Sequence, residues 1–192
     1  MIRRIRMEQK DQSNQEKQKE KQREKEKEKE IRAWKRAKSE IESSVVKTTE
    51  LSEDFRKNYL ELMNAHNSPQ PLVELKLRYM ELTELDVKAL SQALMVNTTL
   101  KDLSLKHNKI SEKGLMYLCF ALTKNQSLEH LDIRDTQLNM LMINIIISTL
   151  SRNFYLNRFS LEEGFHLPQH LFHKIKFYLN QNKKILEVKK KF

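Results

Sequence analysis

Glycine and proline are almost missing from this chain: two glycines and three prolines stand in 192 residues. So few glycines leave little room for loops that cradle phosphate, and no P-loop, G-x-S-x-G or H-E-x-x-H pattern occurs. Cysteine is scarcer still. Cys119 is alone, which excludes an intrachain disulfide; small secreted domains ordinarily depend on such bonds, so the expectation is an intracellular protein. No apolar run nears the roughly 18 residues of a membrane-crossing helix, the greasiest stretch being residues 142–147, so no membrane span is expected. Aromatic residues make up only 7%, with Trp34 the single tryptophan, leaving few platforms on which nucleic-acid bases could stack.

What is abundant is charge, and it is uneven. Charged residues are 32% of the chain and the formal net charge is +10. Residues 1–40 carry fifteen Lys/Arg against nine Asp/Glu, and residues 164–192 carry seven against one, while the middle is slightly acidic. The basic ends point to acidic partners for the ends. The opening basic residues have the flavour of a mitochondrial presequence, but Glu8 and Asp11 follow at once, which such sequences avoid.

Residues 8–30 contain only charged and polar side chains, so this stretch cannot bury a core of its own. Glu16, Glu20, Glu24 and Glu28 repel at four-residue spacing, as do Lys17, Lys21, Lys25 and Lys29, whereas pairs three apart such as Glu16–Lys19 attract. Two readings stand: a solvated tail, or a helix ordered along a partner. From Ile31 an apolar face returns through Trp34, Ala37, Ile41 and Val45, with Trp34 set among Arg32, Lys35 and Arg36. A lone tryptophan there serves either as an anchor for a partner, with Arg32 and Arg36 beside it, or as packing against the body of the protein. Residues 43–50 read as a break. Ser52 then starts a helix whose Phe55, Tyr59, Leu62 and Met63 share a face.

From residue 72 a pattern is stated four times. Leu72, Leu75 and Leu77 recur as Leu100, Leu103 and Leu105, then as Leu128, Leu131 and Ile133, and finally as Leu156, Phe159 and Leu161. The spacing is 28 residues each time, the mark of a repeat architecture in which each unit buries its face on the next. Each unit reads as a strand, a turn and a helix, with Thr83, Ser111 and Asn139 as helix N-caps and Thr83 with Asp86 as a capping box. Leu90 and Leu94, Leu118 and Leu122, and Ile146 and Leu150 are the buried helix positions. Asn97, Asn125 and Asn153 end the helices; their common place in the repeat explains them better than glycosylation does. Asn182 comes one residue late, placing an insertion between Gly164 and Lys174, and Pro168 starts the helix that follows. Ile185 and Val188 open an expected fifth strand, stopped by Lys189 and Lys191. The expected domains are an extension over 1–50, a capping helix and loop over 51–71, and the repeats over 72–192, with strands starting near 72, 100, 128, 156 and 185.

The 28-residue period, the L-x-x-L-x-L-x-x-N-x-I pattern of residues 100–110, and the helix carrying Gly114, Leu118, Ala121 and Leu122 resemble leucine-rich repeats of the ribonuclease-inhibitor type. The resemblance covers about residues 51–188. It implies an α/β fold, a short right-handed solenoid with parallel strands on the concave face and helices on the convex one. Asn108 matches the family's turn asparagine, but Met80, Thr136 and Gly164 do not, so the turn ladder is expected to be mostly missing and the turns looser. The family implies protein binding and no particular partner.

Alternate strand residues point outward. They form one column of Glu74, Asp102, His130 and Arg158, a second of Lys76, Ser104, Asp132 and Ser160, and a third of Arg78, Lys106, Arg134 and Glu162. The three stacked cations of the third column would repel unless an acidic partner segment lay opposite, or unless Asp132 and Glu162 screened them. No catalytic residue, cofactor site or metal site is expected: His166, His170 and His173 lack a suitable carboxylate or cysteine nearby, and Cys119 sits in an apolar helix. The reading is therefore a non-enzymatic scaffold subunit of a large intracellular assembly, cytoskeletal or axonemal, bound to other proteins of the complex through an acidic surface or segment. Alternatives are an RNA- or ribosome-associated protein held by its basic ends, nucleic acid being the less favoured partner, and a mitochondrial complex subunit.

Overall fold

The computed structural model describes residues 2–65, 68–161, 167–189 and 191. Glu162, the Gly164 end of the insertion, His166, Asn67 of the expected loop and Lys190 lie outside the described residues. Two units emerge, Met1–Arg36 and Ala37–Phe192. The first holds most of α1 (Ile2–Ser43), a single helix, in keeping with a stretch rich in Glu, Lys, Arg and Gln and free of Gly and Pro. Ile31, expected on a sticky face, is exposed, and Trp34 is half-buried.

The second unit begins with the last turns of α1. Ala37 and Ile41 are buried there as their spacing predicts, but Val45 is 81% exposed and Val46 is buried in its place. The helix stops at Ser43, so its periodicity no longer governs Val45. Gln92 holds the stop: its side-chain amide donates to the carbonyls of Ile41 and Ser44 at 2.8 and 2.7 Å, and its oxygen accepts from the Val46 N–H at 3.2 Å. Glu40 accepts the hydroxyl hydrogen bond of buried Tyr117 and pairs with Lys113 at 2.8 Å, and Lys113 also meets Glu84 at 3.1 Å. Hydrogen bonding to Lys113 and Tyr117 lowers the Glu40 carboxyl below its ordinary range, while burial, with Glu40 beside it, pushes the Tyr117 hydroxyl up to about 12.

Next comes α2 (Glu53–Asn64), which buries Phe55, Tyr59 and Leu62. Ser52 precedes it as expected, yet its hydroxyl makes no cap bond and is buried without a partner. Its N–H instead donates to Asp86 at 2.9 Å. Asp86 also accepts from the N–H and hydroxyl of Thr83 at 3.0 and 2.8 Å, so this fully buried carboxylate ties the start of α2 to the start of α3.

Strands β1 (Glu74–Lys76), β2 (Asp102–Ser104), β3 (His130–Asp132) and β4 (Arg158–Ser160) form one parallel sheet in chain order. Leu75 pairs with Leu103, Leu103 with Leu131 and Leu131 with Phe159, the register that a 28-residue period requires. Helices α3 (Glu84–Val96), α4 (Glu112–Leu122) and α5 (Met140–Leu150) join them. Thr83, Ser111 and Asn139 each accept from the backbone N–H three residues on, and Thr83 with Asp86 closes a capping box. The core lies between strands and helices: Leu90, Leu94, Leu118, Leu122, Ile146 and Leu150 are all buried. Cys119 is buried there too, and burial pushes its thiol up to about 12, leaving it a small apolar side chain.

An asparagine ladder does run through the repeats, but at the helix exits. Asn125 donates to the carbonyls of Leu94 and Asn97, Asn153 to those of Leu122 and Asn125, and Asn182 to those of Asn153 and Leu156. The side-chain oxygens of Asn97, Asn125 and Asn153 accept from the backbone two and three residues ahead, turning the chain into the next strand. Among the described residues at the strand exits, Asn108 alone reaches into the preceding repeat, donating to the carbonyls of Leu77 and Leu105 at 2.6 and 2.8 Å. Thr136 donates to the Ile133 carbonyl at 2.7 Å.

The expected fifth strand is not there. Residues 169–189 form one helix, α6 (Gln169–Lys189), which runs straight through Ile185 and Val188. Asn182 fills its ladder place without ending the helix. After Asn97 and Asn125 come the weak helix formers Thr98, Thr99 and Ser127; after Asn182 come Lys183, Lys184, Leu186 and Glu187, which favour helix. Pro168 sits just before α6, its carbonyl accepting the Phe172 N–H at 3.1 Å, so its own missing N–H leaves no bond unmade.

Candidate protein-binding face

The pairing of the strands sets Glu74, Asp102, His130 and Arg158 side by side, and likewise Lys76, Ser104, Asp132 and Ser160. The outward columns are therefore real neighbours. Lys76, Arg78, Asp102, Ser104, Lys106, His130, Asp132, Arg134 and Arg158 all belong to this sheet and its exits. Arg32, Trp34 and Arg36 belong to the separate unit Met1–Arg36, where Arg32 pairs with Glu28 at 3.4 Å.

Of the two readings open to the third column, the described residues show screening within the protein, with Asp132 as one of the screening groups. Arg78 donates to the Ser104 hydroxyl at 3.2 Å, and Ser104 donates to Asp132 at 3.3 Å. Arg134 grips Asp132 through two nitrogens at 2.9 and 2.8 Å. Lys106 lies 3.6 Å from Asp135. Each of these cations meets an oxygen of the protein: Ser104 and Asp135 come from the repeat after Arg78 and Lys106, and Asp132 lies two residues before Arg134. Burial works to raise the Asp132 carboxyl, but the hydrogen bonds from the Arg134 side chain and backbone prevail and hold it at about 2. Its folded value lies below its ordinary one, so its contribution is complete above about pH 4 and fades as pH falls towards 2. Asp132→Asn should cost on the order of 2 kcal/mol at neutral pH and flatten the fall of the urea midpoint between about pH 4 and pH 2.

A second chain of bonds crosses the strands. Asp102 faces the Nδ1 of His130 at 3.0 Å and accepts from Arg158 at 2.9 Å, and the Nε2 of His130 meets the Ser160 hydroxyl at 3.1 Å. A carboxylate only accepts, so Nδ1 donates. Here the nearby guanidiniums are committed, Arg134 to Asp132 and Arg158 to Asp102. The arrangement ties β2, β3 and β4 together.

The turns beyond the strands add residues that sequence reasoning missed. Tyr79, His107 and Asp135, 28 apart, all have positive φ, as do Glu81 and Gln137. Such turns favour glycine, and this chain has almost none. Tyr79 stacks on His107 with 4.1 Å between rings, and His107 meets Asp135 at 3.1 Å. Tyr79 is nonetheless 71% exposed. The 28-residue spacing was the signal available; the left-handed backbone was not.

Comparisons with known proteins agree with this architecture. The Leucine Rich repeat family profile matches residues 96–119. No curated protein matches the chain. Among solved structures, leiomodin-1 actin-binding site 2 superposes with a TM-score of 0.59 at 14% identity, covering 72% of this chain and 95% of that one. The tropomodulin C-terminal domain of Caenorhabditis elegans gives 0.49 at 13% identity, over 71% and 98% of the two chains. Among the described residues no helix is long and apolar enough to cross a membrane. With its recurring leucines, its parallel sheet in chain order and this profile match over residues 96–119, the chain has the fold of a leucine-rich-repeat protein.

Proposed function

We propose that the chain is a non-enzymatic protein-interaction subunit of a cytoskeletal assembly, a curved solenoid with 28-residue repeats of the ribonuclease-inhibitor type that docks its partner on the outward face of β1–β4. The observation that carries this reading is the cross-tied face itself. Side chains from β2, β3, β4 and the exit of β1 are held in one arrangement by bonds to each other, so little side-chain entropy remains to be lost when a partner arrives. Cations and carboxylates alternate across it, which suits recognition of a charged protein surface in one register more than a uniformly acidic one. The fold likeness to a domain titled as an actin-binding site supports a filament partner. Trp34, with Arg32 and Arg36, supplies a second contact from the extension.

Co-sedimentation with actin filaments and with microtubules tests the reading. The wild-type chain should pellet with one of them, and Lys76→Glu with Lys106→Glu should weaken that binding about tenfold, while Trp34→Ala weakens it less. Failure to pellet with either filament, or full binding by the double variant, overturns it.

A further inference from the structure

Beyond the outward face, the last strand carries a second feature. β4 ends the sheet, and among the described residues no strand pairs with its outer edge. The residues that would supply a fifth strand are helical, in α6. The consequence is visible in the core column. Leu75, Leu103 and Leu131 are buried, but Phe159, their counterpart in β4, is only half-buried. Between β4 and α6 lies an open groove of about 750 Å³. Phe159, Leu161 and Leu179 form apolar wall, Phe172 stands 45% exposed at its margin, and Arg158 and Lys176 supply positive charge. None of its described lining residues is acidic.

We propose that this groove takes an extended segment of another protein, one that alternates apolar with acidic residues and adds to the outer edge of β4 as a fifth strand. The edge offers backbone donors and acceptors in strand geometry, the mode by which sheets capture extended peptides. Alternation follows from the strand period of two: one side of the segment covers Phe159 and Leu179, and the other meets solvent and the cations. The charge follows from the described lining, in which Lys176 meets no carboxylate of the groove and Arg158 leans on Asp102 across the sheet.

The test uses the full chain and a short fluorescein-labelled peptide of alternating valine and glutamate, read by anisotropy. Controls are the same peptide with lysine for glutamate, and one with proline at every second position, which removes strand hydrogen bonds. The acidic peptide should bind about tenfold more tightly than the lysine peptide, and the proline peptide should not bind. Leu179→Glu should abolish uptake, and Lys176→Glu should reverse the charge preference. Phe172→Ser, on an exposed site that folding does not need, should weaken uptake about tenfold. Lys76→Glu with Lys106→Glu lies outside the groove and should leave peptide uptake unchanged, so failure here is distinct from failure of the filament reading. Equal binding of all three peptides, or indifference to Phe172→Ser and Lys176→Glu, overturns the proposal. So does a concentration-dependent dimer that Leu179→Glu breaks without any peptide uptake, which would assign the groove to a second copy.

Discussion

Asn125→Ala should destabilise the repeats by about 3–5 kcal/mol, a large part of the roughly 5–15 kcal/mol that holds a domain of this kind together. Asn125 is buried, and its side chain closes two repeats at once. Its amide donates to the carbonyls of Leu94 at 2.7 Å and Asn97 at 3.1 Å, and its oxygen accepts from the N–H groups of Ser127 at 3.0 Å and Leu128 at 2.7 Å. Truncation strands those backbone groups where water does not reach, at about 1–3 kcal/mol for each one left unsatisfied. Some will find water or relax, which keeps the total below the sum. The melting temperature should fall by about 10 °C. Asn180→Ala is the control, because Asn180 is exposed; it should change stability by less than about 0.5 kcal/mol. Equal effects at the two positions would remove the helix-exit ladder from any account of this fold.

Phe55→Ala should cost about 3–5 kcal/mol as well, for a different reason. A stack of repeats leaves its first apolar layer open unless something covers it. The proposed cover is α2, which buries Phe55, Tyr59 and Leu62; Phe55 is 0% exposed, its ring 5.9 Å from that of Tyr59. Removing the ring leaves a cavity between the cap and the first repeat, and dispersion contacts are lost on both sides. Leu60→Ala on the same helix removes an exposed side chain and should fall within about 0.5 kcal/mol of wild type in urea denaturation. A small effect at Phe55 would mean that α2 rides on the repeats without capping them.

Both effects turn on features that were unequally legible. The 28-residue period carried the strand register, the buried leucines and the three N-caps, because each is a local pattern tied to one repeat. The ladder asparagines were visible as a column, but the role of Asn125, Asn153 and Asn182 was not: a side chain that reaches carbonyls in the preceding repeat leaves no mark beyond its spacing. The sequence marks Asp86 as half of a capping box, but its bond to Ser52 joins residues 34 apart, beyond any local pattern. Gln92 likewise caps a helix about fifty residues away. In the third column the screening by Asp132 was legible, two residues from Arg134, whereas the Ser104 hydroxyl that meets Arg78 and the Asp135 carboxylate beside Lys106 come from the neighbouring repeat. Ile185 misled through propensity: an apolar residue in register makes a strand only if the chain leaves its helix, and nothing after Asn182 makes it leave.

The face of β1–β4 as the seat of partner binding is tested most directly by lysine acetylation footprinting with mass spectrometry, with and without actin filaments. Lys76 and Lys106 stand on the face, whereas Lys57 is exposed on α2 and Lys25 on α1. The proposed docking slows acetylation of Lys76 and Lys106 about tenfold and leaves Lys57 unchanged, as expected for side chains covered by a partner with a residence time longer than the labelling pulse. Unchanged acetylation of Lys76 and Lys106, with protection confined to Lys25 and its neighbours in α1, would contradict it and assign binding to the charged extension.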